Sequence, residues 1–313
     1  MGSLDQPDRH GVKALRTLSM GLPLMLLWGV SLAATNRAQS PQTHLGPCGQ
    51  ALLRAIPARP AGALTGRGFA RQVWTLSGPA RDARVVAQLL EGNIPGFLRH
   101  LVPVTVRSET PRGTDRVTVC VLPDYLAVGS DSDFLYVPLG LQAALQVAAR
   151  FGYVLPTPKL VDAIYATSPI KLIPEPLAPT DSMRSTAYVL HHTELIDLER
   201  AQYPEPLGTL TSGDKKDLVL TDRLWETPGH VAIYGWQRAS GRPIQPLSTF
   251  HGARYADYSH GVRLVSRIVY VNGVARSIDE VLADNELAPL LSREGPLQDL
   301  AKRLAALAAG SGS

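Results

Sequence analysis

Twenty-five prolines and 27 glycines set the first limit on this chain, because they break helices and favour turns throughout its 313 residues. A helical bundle or a coiled coil is thereby excluded, and a loop-rich mixed fold is expected. Hydrophobic residues make up 45% of the chain against 19% charged, enough apolar side chain to fill one large core or two modest ones. Wholesale disorder is excluded on the same ground. A net charge of +4 without Lys/Arg blocks carries no nucleic-acid footprint, so no nucleic-acid partner is expected. Two cysteines can neither staple a scaffold nor supply a four-cysteine zinc site.

The N-terminus speaks to compartment. Arg9, Lys13 and Arg16 lead into an apolar run from Leu18 to Ala34, and Ser31-Leu32-Ala33 supplies the small-x-small pattern of a signal-peptidase site. Residues 1–33 read as a secretory signal, or as an N-terminal membrane anchor if retained; a buried core helix is the third option. Gly21 and Pro23 weaken the run as a stable helix. The rest is expected to be extracytoplasmic, periplasmic or secreted, with no stable membrane insertion after cleavage. In an oxidising compartment Cys48 and Cys120 can form one disulfide. Two separate buried thiols, or a nucleophilic Cys120, remain alternatives.

Residues 34–68 read as lead and linker, 69–309 as a single globular domain, and 310–313 as a loose tail. Four prolines (169, 174, 176 and 179) mark a possible sub-boundary at 167–181. Apolar spacing predicts helices over 80–90, 141–151, 159–166, 182–202, 278–283 and 297–308, and a short one over 48–56. Strand-like runs fall at 100–106, 116–122, 125–128, 134–137, 218–220, 230–236, 262–271 and 274–276. Asn272-Gly273 predicts a type I′ turn and so a hairpin over 262–276. The expected class is α+β, a mixed or antiparallel sheet with flanking helices and a β-rich C-terminal half.

Candidate chemistry concentrates between Phe250 and Leu264, FHGARYADYSHGVRL. A stretch so polar is costly to bury and is expected at the surface, with Gly252 and Gly261 letting the backbone bend or approach a ligand. His260 or His251 is the candidate general acid/base, because imidazole titrates near neutral pH. Asp257 would orient it, and Ser259 is a candidate nucleophile. In extended chain Ser259 and His260 point to opposite faces, so the base for Ser259 could instead be His251 or His230. Arg254 and Arg263 are expected to hold an anionic group, and Tyr255 and Tyr258 to line a cleft. Lys215 and Lys216 form either a second anion site or a solvated turn, and Ser212 with Lys215 fits Ser-x-x-Lys. Trp236 belongs to a set of aromatics suited to sugar rings or peptide chains, or to a β core. The whole segment also reads as a polar turn satisfying its own backbone.

Ser259-His260-Gly261-Val262-Arg263 resembles the Ser-His-Gly-Cys-x-Arg region of the L,D-transpeptidases, secreted cysteine enzymes that cross-link peptidoglycan. Val262 stands where that family has its nucleophile, and His251-Gly252 would be its upstream histidine at a shorter spacing. The resemblance covers about a dozen residues and implies a fold relative without the transpeptidase chemistry. No cofactor is expected, although His191, His192, Glu194, His230, His251, Asp257 and His260 leave a divalent metal open. The sequence therefore predicts an exported enzyme, a hydrolase or transferase, using His-based acid/base catalysis on a polymeric glycan or peptide-glycan. A non-catalytic envelope protein, binding glycan or a protein through an aromatic and basic surface, is the alternative.

Overall fold

The computed structural model describes residues 48–49, 56–110 and 113–310. The chain divides into residues 1–43 and 44–313, and every described residue lies in the second unit. The predicted signal at 1–33, most of the helical pattern at 48–56 and the end of the tail lie outside the described residues.

Helix α1 (Gly66–Gln72) begins inside the stretch expected as linker, because the Thr65 side chain accepts from the Gly68 N–H and caps it. Helix α2 (Gly78–Leu90) follows, with Pro79 in its first turn and Val85, Val86 and Leu89 buried. Strands β1 (Val102–Thr110) and β2 (Gly113–Val121) pair antiparallel from Val102 opposite Val121 onward. A second ribbon joins β3 (Ala127–Ser130) to β4 (Asp133–Tyr136). Helix α3 (Leu141–Phe151) covers the predicted span and stops at Gly152, whose φ of +75° suits a residue without a Cβ. Then come β5 (Tyr153–Val154), α4 (Pro158–Thr167) capped by Thr157, and β6 (Ile170–Lys171). The helix predicted over 182–202 is divided: a 3-10 turn precedes Ser185, which caps α5 (Thr186–Arg200).

The C-terminal half supplies β7 (Thr211–Ser212), β8 (Lys216–Leu218), α6 (Arg223–Glu226) and β9 (Ile233–Gln237). Strand β10 (Pro243–Ser248) has no counterpart in the sequence expectation, since Pro243 and Pro246 argue against a strand. It pairs only with β9 at a sheet edge, where a missing N–H costs little. After β11 (His260–Gly261), strands β12 (Val265–Val271) and β13 (Val274–Ser277) form the predicted hairpin, with Asn272 and Gly273 at φ +50° and +88°. Helices α7 (Ile278–Ala283), α8 (Ala288–Leu291) and α9 (Leu300–Ala308) follow.

The larger sheet runs β1-β2-β12-β13 with β5 also on β12, and the smaller runs β10-β9-β8-β11. This is an α+β fold with antiparallel and mixed pairing and helices flanking the sheets. Buried residues from both sides of 167–181, such as Val119, Leu160, Val219 and Val269, belong to one hydrophobic cluster. Cys48 and Cys120 are joined in a disulfide that ties the start of the described chain to β2.

Candidate functional site

The smaller sheet positions the polar residues. Strands β8 and β11 pair in parallel with Lys216 beside His260, while β9 lies across β8 with Gly235 opposite Lys216. Three segments distant in sequence therefore place Lys215, Lys216, Trp236 and His260 together. Trp236 has φ +58°, an uncommon conformation for a bulky residue, and its N–H donates to the Lys215 carbonyl at 3.0 Å. The Lys216 ammonium sits 4.9 Å from the centre of the Trp236 ring.

Asp257 organises the loop before β11. Its side chain is almost wholly buried; one oxygen accepts from the Ser259 N–H (2.9 Å) and hydroxyl (2.6 Å), and the other from the Tyr255 hydroxyl (3.0 Å). Burial opposes the carboxylate, yet His260, the Ser259 donors and Lys216 together hold Asp257 below the ordinary carboxylate value. Tyr255 shifts the other way: burial and the neighbouring Asp257 push its hydroxyl up to about 12.

Two histidines flank Tyr255. His251 is half-buried and stacks on the Tyr255 ring, while His260 meets the same ring edge-on at 5.7 Å. The imidazole centres are 6.2 Å apart. His260 is 1% exposed, and neither ring nitrogen has a hydrogen-bond partner among the described residues. Burial drives its pKa down to about 4, with Lys216, His251 and Lys215 reinforcing the shift and Asp257 opposing it. Burial also lowers His251, again against Asp257 and with Lys216. Both imidazoles are neutral at pH 7, the form in which one nitrogen can accept a proton.

Other predicted residues have structural duties. Lys215 is fully buried and donates to His192 Nδ1 and to the Tyr258 carbonyl, each at 2.8 Å, so it offers no charge to an outside anion. Burial lowers the pKa of Lys215 despite Asp214 and Asp257, and lowers that of His192 to about 2 with help from Lys215. Ser212, the serine of the Ser-x-x-Lys match, donates to Ser168 instead. Arg263 was expected to hold substrate. It is buried, donating to the Leu122 carbonyl at 2.8 Å and the Thr211 carbonyl at 2.6 Å, with its guanidinium 4.3 Å over Tyr125. Tyr258 lines no cleft: it is buried, its ring lies 4.9 Å from His192, and its hydroxyl accepts from the Leu177 N–H.

The expected surface stretch is thus buried from Ala256 to Leu264, because its polar groups satisfy one another and nearby carbonyls. Gly261 serves packing rather than ligand approach, since a Cβ there would lie 2.5 Å from the Tyr125 ring. Ser259 gives its hydroxyl to Asp257 and not to a histidine. Arg254 is exposed beside two adjoining clefts of about 350 and 400 Å3, the first also lined by His230. His191 is exposed and Glu194 pairs with Arg67, away from His192's partner Lys215. Among the described residues no group of three or more His, Cys, Asp or Glu side chains is arranged to hold a metal ion.

Two arginines escaped the sequence reading. The Arg184 guanidinium lies 5.2 Å from the Tyr255 ring, and Arg81 donates to the Arg184 carbonyl at 2.8 Å. Arg81 falls on the Arg81-Val85-Leu89 stripe, where a charge on the apolar face of a helix was a usable signal. Arg184 carries none.

Comparison with protein-family models, curated proteins and solved structures finds no match to this chain. Its chemistry is therefore read from the site alone. That site offers a half-exposed neutral imidazole, a second one behind it, a buried carboxylate and flanking cations.

Proposed function

We propose that this protein is an exported enzyme that hydrolyses or transfers a bond in an extracytoplasmic polymer, a glycan or peptidoglycan-like chain. One observation carries the reading: half-exposed His251 stacks on Tyr255, with His260, unpartnered among the described residues, behind it and Asp257 bonded to Tyr255. His251 is the group that meets substrate, taking a proton from the attacking hydroxyl and returning it to the leaving group. Asp257 and Tyr255 hold the stack in place, and His260 keeps its floor uncharged. Ser259 is committed to Asp257, so the nucleophile is a water or a substrate hydroxyl rather than this serine. Lys216 flanks the site as a cation resting on the ring of Trp236, which is buried and belongs to the fold rather than to a substrate surface. The Cys48–Cys120 disulfide supports an oxidising compartment, in keeping with the signal-like N-terminus.

The test is turnover of purified envelope polysaccharides and peptidoglycan by the wild type, His251→Ala and His260→Ala. Loss of turnover in His251→Ala with retained fold supports the assignment; unchanged turnover in both variants removes it. Phe250, 83% exposed and 5.2 Å from the His251 ring, favours the second reading, a non-catalytic glycan binder. That reading requires polymer binding lost in Phe250→Ala and no turnover by the wild type.

A further inference from the structure

Helix α2 begins with unpaired charged donors and no acidic group to meet them. Its N-cap, Ser77, makes no side-chain capping bond, and its first turn holds no acidic residue. The free N–H groups there carry partial positive charge, which ordinarily attracts an anion. This turn instead gathers cations. Arg81 is 2% exposed, and its Nε and Nη2 have no acceptor among the described residues. Arg184 is half-buried, and its Nε is likewise enclosed without a partner. Arg184 also rests against Gly78, the first residue of α2, so closely that a Cβ there would lie 2.7 Å from its Nη2.

Charged donors left unpaired in the interior are costly, and three such nitrogens gather at this one helix start. Asp82 does not pair with them. One of its oxygens accepts from the Gly140 N–H, and the other makes no hydrogen bond to Arg81 or Arg184 among the described residues. Another carboxylate, Asp257, supports the charge on Arg81, but its own oxygens are held by Ser259 and Tyr255. The cluster also adjoins the stack, since Arg184 lies over the Tyr255 ring on one side and against Gly78 on the other.

We propose that Arg81, Arg184 and the uncapped start of α2 form a subsite for a carboxylate group beside the His251–Tyr255 stack. Two guanidiniums present paired N–H donors that match the two oxygens of a carboxylate. With Asp257 ionised close by, the cluster suits a singly charged group better than a dianion. Resting on the proposed function, this narrows the polymer to one bearing carboxylates, on its sugars or on its peptides.

The subsite is tested without turnover, by titrating the purified protein with sodium acetate and following the Gly78 and Arg81 amide signals by NMR. Sodium chloride at equal ionic strength and inorganic phosphate serve as comparisons. Acetate is expected to shift these amides saturably, and Arg184→Gln, a half-buried change compatible with folding, to weaken that response about tenfold or more. Arg81→Met, followed alongside, should abolish it. Equal responses to acetate and chloride, or an unchanged response in Arg184→Gln, would overturn the proposal. A stronger response to phosphate than to acetate would overturn its carboxylate specificity. If acetate binds as expected while His251→Ala leaves turnover intact, the subsite stands and the catalytic assignment alone falls.

Discussion

The imidazole of His251 lies face to face with the phenol ring of Tyr255, their centres 3.9 Å apart and their planes 6° from parallel. The stack covers one face of His251, and burial is the chief reason its pKa is lowered. Tyr255→Phe keeps the ring and is expected to leave the histidine depressed, whereas Tyr255→Ala should return it toward 6.5. NMR titration of the His251 ring protons decides this. An unmoved midpoint in Tyr255→Ala would mean that the stack does not set the basicity of His251.

Acid should destabilise the domain through His260. Its folded pKa of about 4 lies below the unfolded value of 6.5, so the unfolded chain binds the extra proton between those limits. The stability contribution is intact above pH 6.5 and is lost as pH falls toward 4, amounting to about 3 kcal/mol at most. Urea unfolding at pH 7 and 4.5, compared between wild type and His260→Asn, measures it. Equal pH slopes in the two proteins would refute the prediction.

Arg263 is a structural cation. Removing it as Arg263→Met strands the Leu122 and Thr211 carbonyls and leaves Asp217, 4.0 Å away, without its neighbouring charge. The expected loss is about 3–5 kcal/mol, as for breaking other buried charge arrangements. Arg263→Lys should recover only part of it, because one ammonium cannot reproduce the fork that spans both carbonyls. Denaturation midpoints of the two variants test this; a methionine variant as stable as the wild type would refute the structural role of Arg263.

Reduction should weaken the fold. The Cys48–Cys120 bridge closes a loop with a sequence separation of 72, for which loop-closure entropy gives about 4 kcal/mol. Cys48→Ser/Cys120→Ser is expected to lower the unfolding midpoint of the domain and to abolish the effect of reductant on it. A midpoint indifferent to reductant in the wild type would count against the bridge as a source of stability.

Local regularity was legible in the sequence, and convergence was not. Helices at 141–151 and 278–283 and the turn at Asn272-Gly273 follow from apolar spacing and from the tolerance of Asn and Gly for positive φ. The importance of 250–264 was visible from its composition, but its burial was not. Polar side chains look solvent-seeking until their partners are known, and those of Arg263 are carbonyls 141 and 52 positions away. Lys215 looked like half of a basic turn because nothing local reveals that His192 will accept from it across 23 residues. Strand β10 was hidden by its prolines, which a strand tolerates only once its place at an edge is settled.

The position of β2 bears on the order in which this protein can be assembled. One side of β2 is filled by β1, its neighbour in sequence, but the other waits for β12, where Val265 meets Val121 nearly half the chain later. During synthesis, Val117, Val119 and Val121 belong to an open edge until residues 265–271 have emerged. Chains stopped short of that point should be sticky rather than merely smaller, and folding should be slow for a protein of this size. The centre of the larger sheet is made early and completed last.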